Sequence, residues 1–518
     1  MEPVLIGGAW RAAAGVGAFH AFDPAADRAL PDEFPVSAWP DLDAALAAAA
    51  AAAPALAATE PEAIARCLED YARRIEEDRG ALVALAAQET GLPAEPRLNS
   101  VELPRAANQL RAAATAVRER SWLLPTIDTK AGIRSCHGPL GAPIAVFGPN
   151  NFPLAFNAVA GSDFASALGA RNPVIAKAHP SHPGTSRRLA RHAHDAVLAA
   201  GLPPASVQLF YQCSHEDGLR LVSDPRLGAL AFTGSRAGGL ALKAAADAAG
   251  KPSYLELSSI NPVFVMPGAL AERGLEIAGE LHASCTLGAG QFCTSPGVVV
   301  LPAGTDADAF VAAAREKFAA HAPGLLLNAG VREHLEQSLA ALERAGDERL
   351  VGGTAVAPGI RFEATLLRAD AERFVAEPGL QREAFGPATL LVLARDAEAM
   401  RHVATALEGN LTATIYSARD GRDDAAYAAL AAILRGKAGR LLNDKMPTGV
   451  AVSAAMVHGG PYPATGHPGF TAVGMPAAIR RFAALHGYDA VRDARLPPEL
   501  QDANPLRIVR CVDGAWTV

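Results

Sequence analysis

The chain has 518 residues and a formal net charge of −7, with 50% hydrophobic and 19% charged residues. This length exceeds what one hydrophobic core supports, so two or three domains are expected, and the balance excludes wholesale disorder. The charge is mild and forms no long basic run, which excludes nucleic acid and anionic membranes as partners.

Six cysteines (Cys67, Cys136, Cys213, Cys285, Cys293 and Cys511) are scattered without a CxxC pair. Neither a disulfide framework nor a metal site is expected from them. The opening MEPVLIGGAWRAAAG carries an acid at position 2 and no basic segment ahead of an apolar core, and the alanine-rich stretch 44–58 is weakly hydrophobic and interrupted by Pro54. No secretion signal and no membrane span are expected, which puts the chain in the cytoplasm.

In chain order, residues 41–119 read as helices, because strong helix formers carry apolar residues at three- and four-residue spacing. From about 140 the texture changes to short apolar runs alternating with helical segments: APIAVFG, NPVIAKAH, SVQLFYQ and LGALAFTG. That alternation predicts a parallel sheet covered on both faces. The pattern recurs after 253 with PSYLEL, NPVFVMP, a helical stretch 269–288 and PGVVVLP, which predicts a second α/β domain. Beyond 487 the texture is loop-like and ends in LRIVRCVDGAWTV, read as an isolated strand in need of a partner. Neither G-x-G-x-x-G nor G-x-x-x-x-G-K-[ST] occurs, so any nucleotide is held by another device.

Within GAGQFCTSPG (288–297), Cys293 sits among glycines, a proline and small hydroxylic residues, where the backbone turns sharply and a second molecule can approach. Four stretches precede it. FGPNNFPL (147–154) follows a strand, VIAKAHP (174–180) ends one with a lysine, LAFTGSRAGG (230–239) passes from strand to helix, and YLELSSINP (254–262) carries Glu256. Taken in this order, with REAFGP (382–387) and LLNDKMPTG (441–449), they resemble the aldehyde dehydrogenase superfamily over nearly the whole chain. The stretches SSINPVFVMPGAL, KAHPSHPGTS and MVHGGPYPAT (456–465) are most similar to its α-ketoglutaric semialdehyde (2,5-dioxopentanoate) dehydrogenase branch.

The resemblance implies an α/β fold with a Rossmann-like cofactor domain (1–119 and 138–252), an α/β catalytic domain (253–486) and a small β projection for oligomerisation (120–137 and 487–518). It implies Cys293 as nucleophile, Asn151 and the Cys293 N–H as oxyanion donors, and Glu256 as the base that activates water. Lys177 would contact the adenosine ribose, Gly234 and Ser235 the pyrophosphate, and Glu383 and Phe385 the nicotinamide ribose and ring, with Pro149 beside them. The family's tryptophan before the asparagine is Asn150 here, and its Glu-Leu-Gly-Gly-Lys is Glu-Leu-Ser-Ser-Ile (256–260). GHPGFTAVG (466–474) also departs from the branch.

NAD-preferring relatives place a glutamate three residues after the ribose lysine. Here that residue is Pro180, and no acid lies between Lys177 and His194, so NADP is expected, with NAD as the alternative. His179, Ser181 and His182 are potential donors to a 2′-phosphate. The expected substrate is 2,5-dioxopentanoate, whose carboxylate needs a cation at its far end. The helix LPRAANQLRAAATAVR offers Arg105, Arg111 and Arg118, with Arg111, beside Gln109, the expected anchor. The alternatives are a medium-chain or aromatic aldehyde in an apolar tunnel, an acylating relative, which Glu256 disfavours, and an inactive oligomeric scaffold. A homodimer or homotetramer is expected.

Overall fold

The computed structural model describes residues 1–346 and 348–518. Its first sheet has seven strands in the order Ser253–Glu256, Ala229–Thr233, Ile144–Phe147, Val174–Lys177, Val207–Phe210, Val4–Ile6 and Ala9–Arg11. The first five run parallel, and Val4–Ile6 adds antiparallel to Val207–Phe210. Ile144–Phe147 and Val207–Phe210 are buried at every residue, as strands covered by helices on both faces must be. Ser253–Glu256, the first strand of the segment expected to form the catalytic domain, pairs in this first sheet.

The register aligns the chemistry. Glu256 lies opposite Thr233, Phe232 opposite Phe147, and Phe147 opposite Lys177. Four of the motif stretches therefore leave the sheet along one edge, at the carboxyl ends of parallel strands, where open α/β sheets bind ligands.

A second seven-stranded sheet runs Glu348–Val351, Thr365–Asp370, Ala388–Ala394, Val298–Pro302, Val263–Val265, Asn410–Tyr416 and Ala438–Asn443. All its pairings are parallel except that of Glu348–Val351. Helices Trp39–Ala57, Pro61–Glu77, Arg79–Thr90 and Leu103–Glu119 account for the 41–119 region. In the first of them Ala45, Ala49, Ala52 and Ala53 are buried, so the alanine run serves close packing.

Two features differ from the sequence reading. Gly15–Asp23 and Arg28–Ser37 form an antiparallel pair that alternation did not reveal, because most of the first strand is exposed and prolines interrupt the second. The C-terminal segment is not an isolated strand. Arg510–Val512 pairs with Ala515–Thr517 and lies parallel to Thr126–Asp128, within a five-stranded sheet completed by Ile133–Pro139 and Ala483–Asp489. That sheet has its own small core of Ile127, Cys136, Leu496 and Leu500. Among the described residues no helix is long and apolar enough to cross a membrane.

Candidate active site

The loop that carries Cys293 begins where helix Pro267–Thr286 ends. Gly288, Ala289 and Gly290 all take positive φ, at 56°, 55° and 68°, which turns the chain back on itself. A Cβ on Gly290 would lie 2.0 Å from the Gly386 carbonyl oxygen, so this glycine lets the cysteine loop pack directly on the REAFGP backbone. Asn261, fully buried, clamps the far side: its Nδ2 donates to the carbonyls of Cys293 at 2.8 Å and Ser295 at 2.9 Å. The small residues around Cys293 thus serve backbone contact as well as approach by a ligand.

Glu256 ends its strand, and the backbone beyond it is pinned by the Leu257 N–H donating to Ala464 O at 2.8 Å and by a bridge to Thr465. That pinning folds the MVHGGPYPAT segment over the site. His458, 2% exposed, is held by its N–H donating to Thr471 Oγ1 at 2.9 Å, and a Cβ on the following Gly459 would lie 2.3 Å from Phe470 O. His458 Nε2 lies 2.7 Å from Glu256 Oε1 and 3.5 Å from Cys293 Sγ. All three donor atoms fall within 4.8 Å of one another. Sequence reading found Cys293 and Glu256 but gave His458 no role. Its only signal was a titratable residue between apolar Val457 and two glycines.

Burial pushes the Cys293 thiol well above its ordinary range and the neighbouring Glu256 carboxylate pushes it further, with the Arg105 charge opposing. Burial also pushes Glu256 up, but the charge and hydrogen bond of His458, the Cys293 thiol and Arg105 together outweigh it. Glu256 is consequently held below its usual value although it is only 5% exposed. Asn151 is 6% exposed, and its Nδ2 donates to Gln291 O at 3.0 Å, two residues before Cys293. Arg97 Nη2 donates to Asn151 O at 2.9 Å and fixes that turn.

The residues expected at a dinucleotide lie along the same edge. Lys177, its pKa lowered by burial, makes one hydrogen bond, to Ala178 O at 3.3 Å, and so keeps donor capacity for a ribose. Gly234 precedes Ser235, whose Oγ caps helix Arg236–Ala248 by accepting from the Gly238 N–H at 3.3 Å, which leaves a helix N-terminus facing the edge. The Glu383 carboxyl is raised to about 7, chiefly by burial, against hydrogen bonds from Ser258 and the Ser259 N–H. Phe385 is half-buried two residues on. These groups fit a dinucleotide. Pro149 and His182 are engaged with each other, His182 Nε2 lying 2.9 Å from Pro149 O. His179 and His182 are held neutral by burial, so their rings bring no positive charge to a 2′-phosphate.

Arg111 is not in the site. Its guanidinium pairs in bidentate fashion with Glu76, and its side chain is 41% exposed, because position 111 falls on the outer face of helix Leu103–Glu119. Arg118 likewise pairs with Glu62 and Glu69 at the surface. Gln109 is buried, donates to Ala155 O at 2.8 Å, and lines a cavity of about 330 Å³ together with Ala112, Val452 and Met475. One turn before it, Arg105 faces inward against the Phe156 ring, with its Cζ 4.7 Å from the ring centroid.

Residues 10–456 match the aldehyde dehydrogenase family. The chain is 41% identical over 520 residues to α-ketoglutaric semialdehyde dehydrogenase 2 of Azospirillum brasilense, covering 98% of each chain. It is 37% identical over 463 residues to α-ketoglutaric semialdehyde dehydrogenase of Acinetobacter baylyi, covering 87% of this chain and 86% of that one. Among solved structures, an aldehyde dehydrogenase C variant from Pseudomonas syringae, in complex with NAD⁺ and octanal, superposes with a TM-score of 0.81 at 20% identity, covering 96% of this chain and 98% of that one. Lactaldehyde dehydrogenase from Escherichia coli gives 0.81 at 23% identity, over 94% and 98%. A two-sheet α/β frame, a cysteine and a glutamate meeting at its ligand edge, and relatives matching from end to end have one reading: this chain belongs to the aldehyde dehydrogenase family.

Proposed function

We propose that this chain oxidises 2,5-dioxopentanoate to 2-oxoglutarate, with NADP⁺ preferred over NAD⁺, through Cys293. The observation that carries the chemistry is the Glu256–His458–Cys293 cluster at the carboxyl edge of the first sheet. The substrate rests on the two semialdehyde dehydrogenases that match over most of the chain.

In this mechanism the Cys293 thiol releases its proton to solvent, and the thiolate attacks the aldehyde carbon. The oxyanion is stabilised by the second N–H of the Asn151 amide and by the Cys293 backbone N–H; one such donor is worth about 10²–10³ in rate. Lys177, the Gly234–Ser235 turn and Glu383 would hold the dinucleotide, whose nicotinamide would supply the hydride acceptor for oxidation of the thiohemiacetal to a thioester. Glu256 then takes a proton from water, the hydroxide adds to the thioester, and the Cys293 thiolate leaves. His458 is a positioning residue, donating to Glu256 so that this buried carboxylate stays ionised.

NADP⁺ preference is supported by Pro180 standing where NAD-preferring relatives carry an acid. A homodimer or homotetramer is supported by the open edges Ala483–Asp489 and Ala515–Thr517 of the five-stranded sheet, where Leu485 is 65% and Trp516 61% exposed. Sedimentation as a fully active monomer would count against it.

The test is a panel of aldehydes assayed with both cofactors, with Cys293→Ala as the blank. A dioxo acid outperformed tenfold in kcat/KM by octanal or benzaldehyde sinks the substrate, and a tenfold preference for NAD⁺ reverses the cofactor.

A further inference from the structure

Among the described residues, no carboxylate forms an ion pair with Arg105. This arginine enters from helix Leu103–Glu119, and its Nε and Nη2 atoms are buried without a hydrogen-bond partner. The nearest acid on its own chain segment, Glu102, is already committed: its Oε1 accepts from the N–H groups of Leu154 and Ala155 at 2.8 and 3.0 Å, and its Oε2 pairs with Arg97. Arg105 packs instead on aromatic faces, its Cζ 4.7 Å from the Phe156 centroid and 5.7 Å from that of Phe152. Phe156 in turn stands 6.1 Å from the His458 ring, so one aromatic side chain separates the guanidinium from the catalytic cluster.

A buried guanidinium with free N–H groups is costly unless an anion completes it. Residues 105, 109, 112 and 116 recur at helical spacing on one face, and the last three line the cavity of about 330 Å³ together with Val452 and Met475. Arg105 is the N-terminal member of this helix face. The planar fork of an arginine, supported on a ring, matches a carboxylate in bidentate geometry.

We propose that Arg105 binds the distal carboxylate of an ω-oxo acid substrate, orienting its aldehyde end toward Cys293. This rests on the dioxo acid reading of the function and deepens it. Phe152 and Phe156 then enclose the carbon chain, so that charge at one end and reaction at the other fix both the direction and the length of the substrate.

The test uses wild type, Arg105→Gln and Arg105→Lys with 2,5-dioxopentanoate, 5-oxopentanoate and pentanal. For Arg105→Gln, kcat/KM should fall about a hundredfold on both acids, mainly through KM, in line with loss of charge-assisted hydrogen bonds, while the loss on pentanal, which reports only the effect of the charge on Cys293 and Glu256, should be about tenfold smaller and fall on kcat. Arg105→Lys keeps the charge without the fork and should recover part of the loss on the acids, and it carries the test if the glutamine variant does not fold. Equal losses on all three aldehydes would show that Arg105 serves Cys293 or the fold and would overturn the assignment, as would unchanged kinetics on the acids. If wild type prefers the acids and Arg105→Gln keeps that preference, only the Arg105 role falls. If wild type prefers pentanal, the acid reading itself falls, and this role with it.

Discussion

His458 Nε2 lies 2.7 Å from Glu256 Oε1, although 202 residues separate the two. Both side chains are out of solvent, at 1% and 6% exposure. The pairing reverses what burial alone would do to Glu256, since burial raises its pKa while the His458 charge and hydrogen bond bring it below the ordinary value. A base that must be ionised in a dry site is thereby kept ionised.

Replacing His458 with phenylalanine should let burial dominate. The Glu256 pKa then rises, and the acid limb of the kcat–pH profile moves to higher pH, since the ionised form is the one that accepts the proton from water. A loss of about ten- to a hundredfold at pH 7 is expected, within the range of general-base effects. An acid limb that stays in place while kcat falls would reduce His458 to a packing role.

The same pair fixes the sign of a thiol experiment. Glu256 is one of the causes that raise the Cys293 pKa. Glu256→Gln removes that negative charge, so the thiolate fraction at pH 8 increases and alkylation of Cys293 by iodoacetamide in the cofactor-free enzyme should speed up. Turnover should nonetheless collapse while a burst of reduced cofactor survives, because acylation precedes water attack. Slower alkylation together with a lost burst would assign Glu256 chiefly to thiol deprotonation.

These relationships bear on what the sequence could disclose. Glu256, Asn151 and Lys177 each end a strand or follow one in a short motif, and Cys293 follows a helix in one; period-two and helical patterns place such motifs at element ends. His458 and Asn261 act through loops, and what fixes those loops is backbone contact with distant segments: Gly459 on Phe470, Leu257 on Ala464. No local pattern encodes such contacts. Arg105 and Arg111 show the same limit on one helix. They are six residues apart and similar in local sequence, yet only the neighbours Glu76 and Phe156 decide which is a surface ion pair and which is a buried charge. The hairpin Gly15–Ser37 was hidden for a related reason, since a mostly exposed strand carries no alternation to read.

Gly290→Ala tests the contact between the cysteine loop and the REAFGP backbone. At φ 68° an alanine is strained by about 1–2 kcal/mol, and its Cβ would overlap the Gly386 carbonyl at 2.0 Å, so the loop must move. A displacement of about 1 Å at Cys293, three residues on, is enough to cost about 10²-fold in the acylation burst. The control is Gly80→Ala, in helix Arg79–Thr90 with nothing within 4 Å of the new Cβ, which should leave both Tm and burst unchanged. Equal behaviour of the two variants would remove the close approach from the account.

The Glu383 carboxyl has two readouts. Its pKa is raised from 4.5 to about 7, first by burial, against hydrogen bonds from Ser258 and the Ser259 N–H. The native state therefore holds a proton that the unfolded chain releases between those two values, and the contribution of this group to stability declines as pH rises through that window. Glu383→Gln cannot titrate, so the variant should lose less stability than wild type between pH 5 and 8 in urea titrations of the cofactor-free enzyme. If the ionised carboxylate is also the acceptor for ribose hydroxyls, cofactor KM in wild type should climb as pH falls below about 7. In the variant KM should be raised throughout, with that step gone. A KM step of unchanged size in Glu383→Gln would place the titrating group elsewhere and remove Glu383 from the cofactor contacts, whatever the stability curves show.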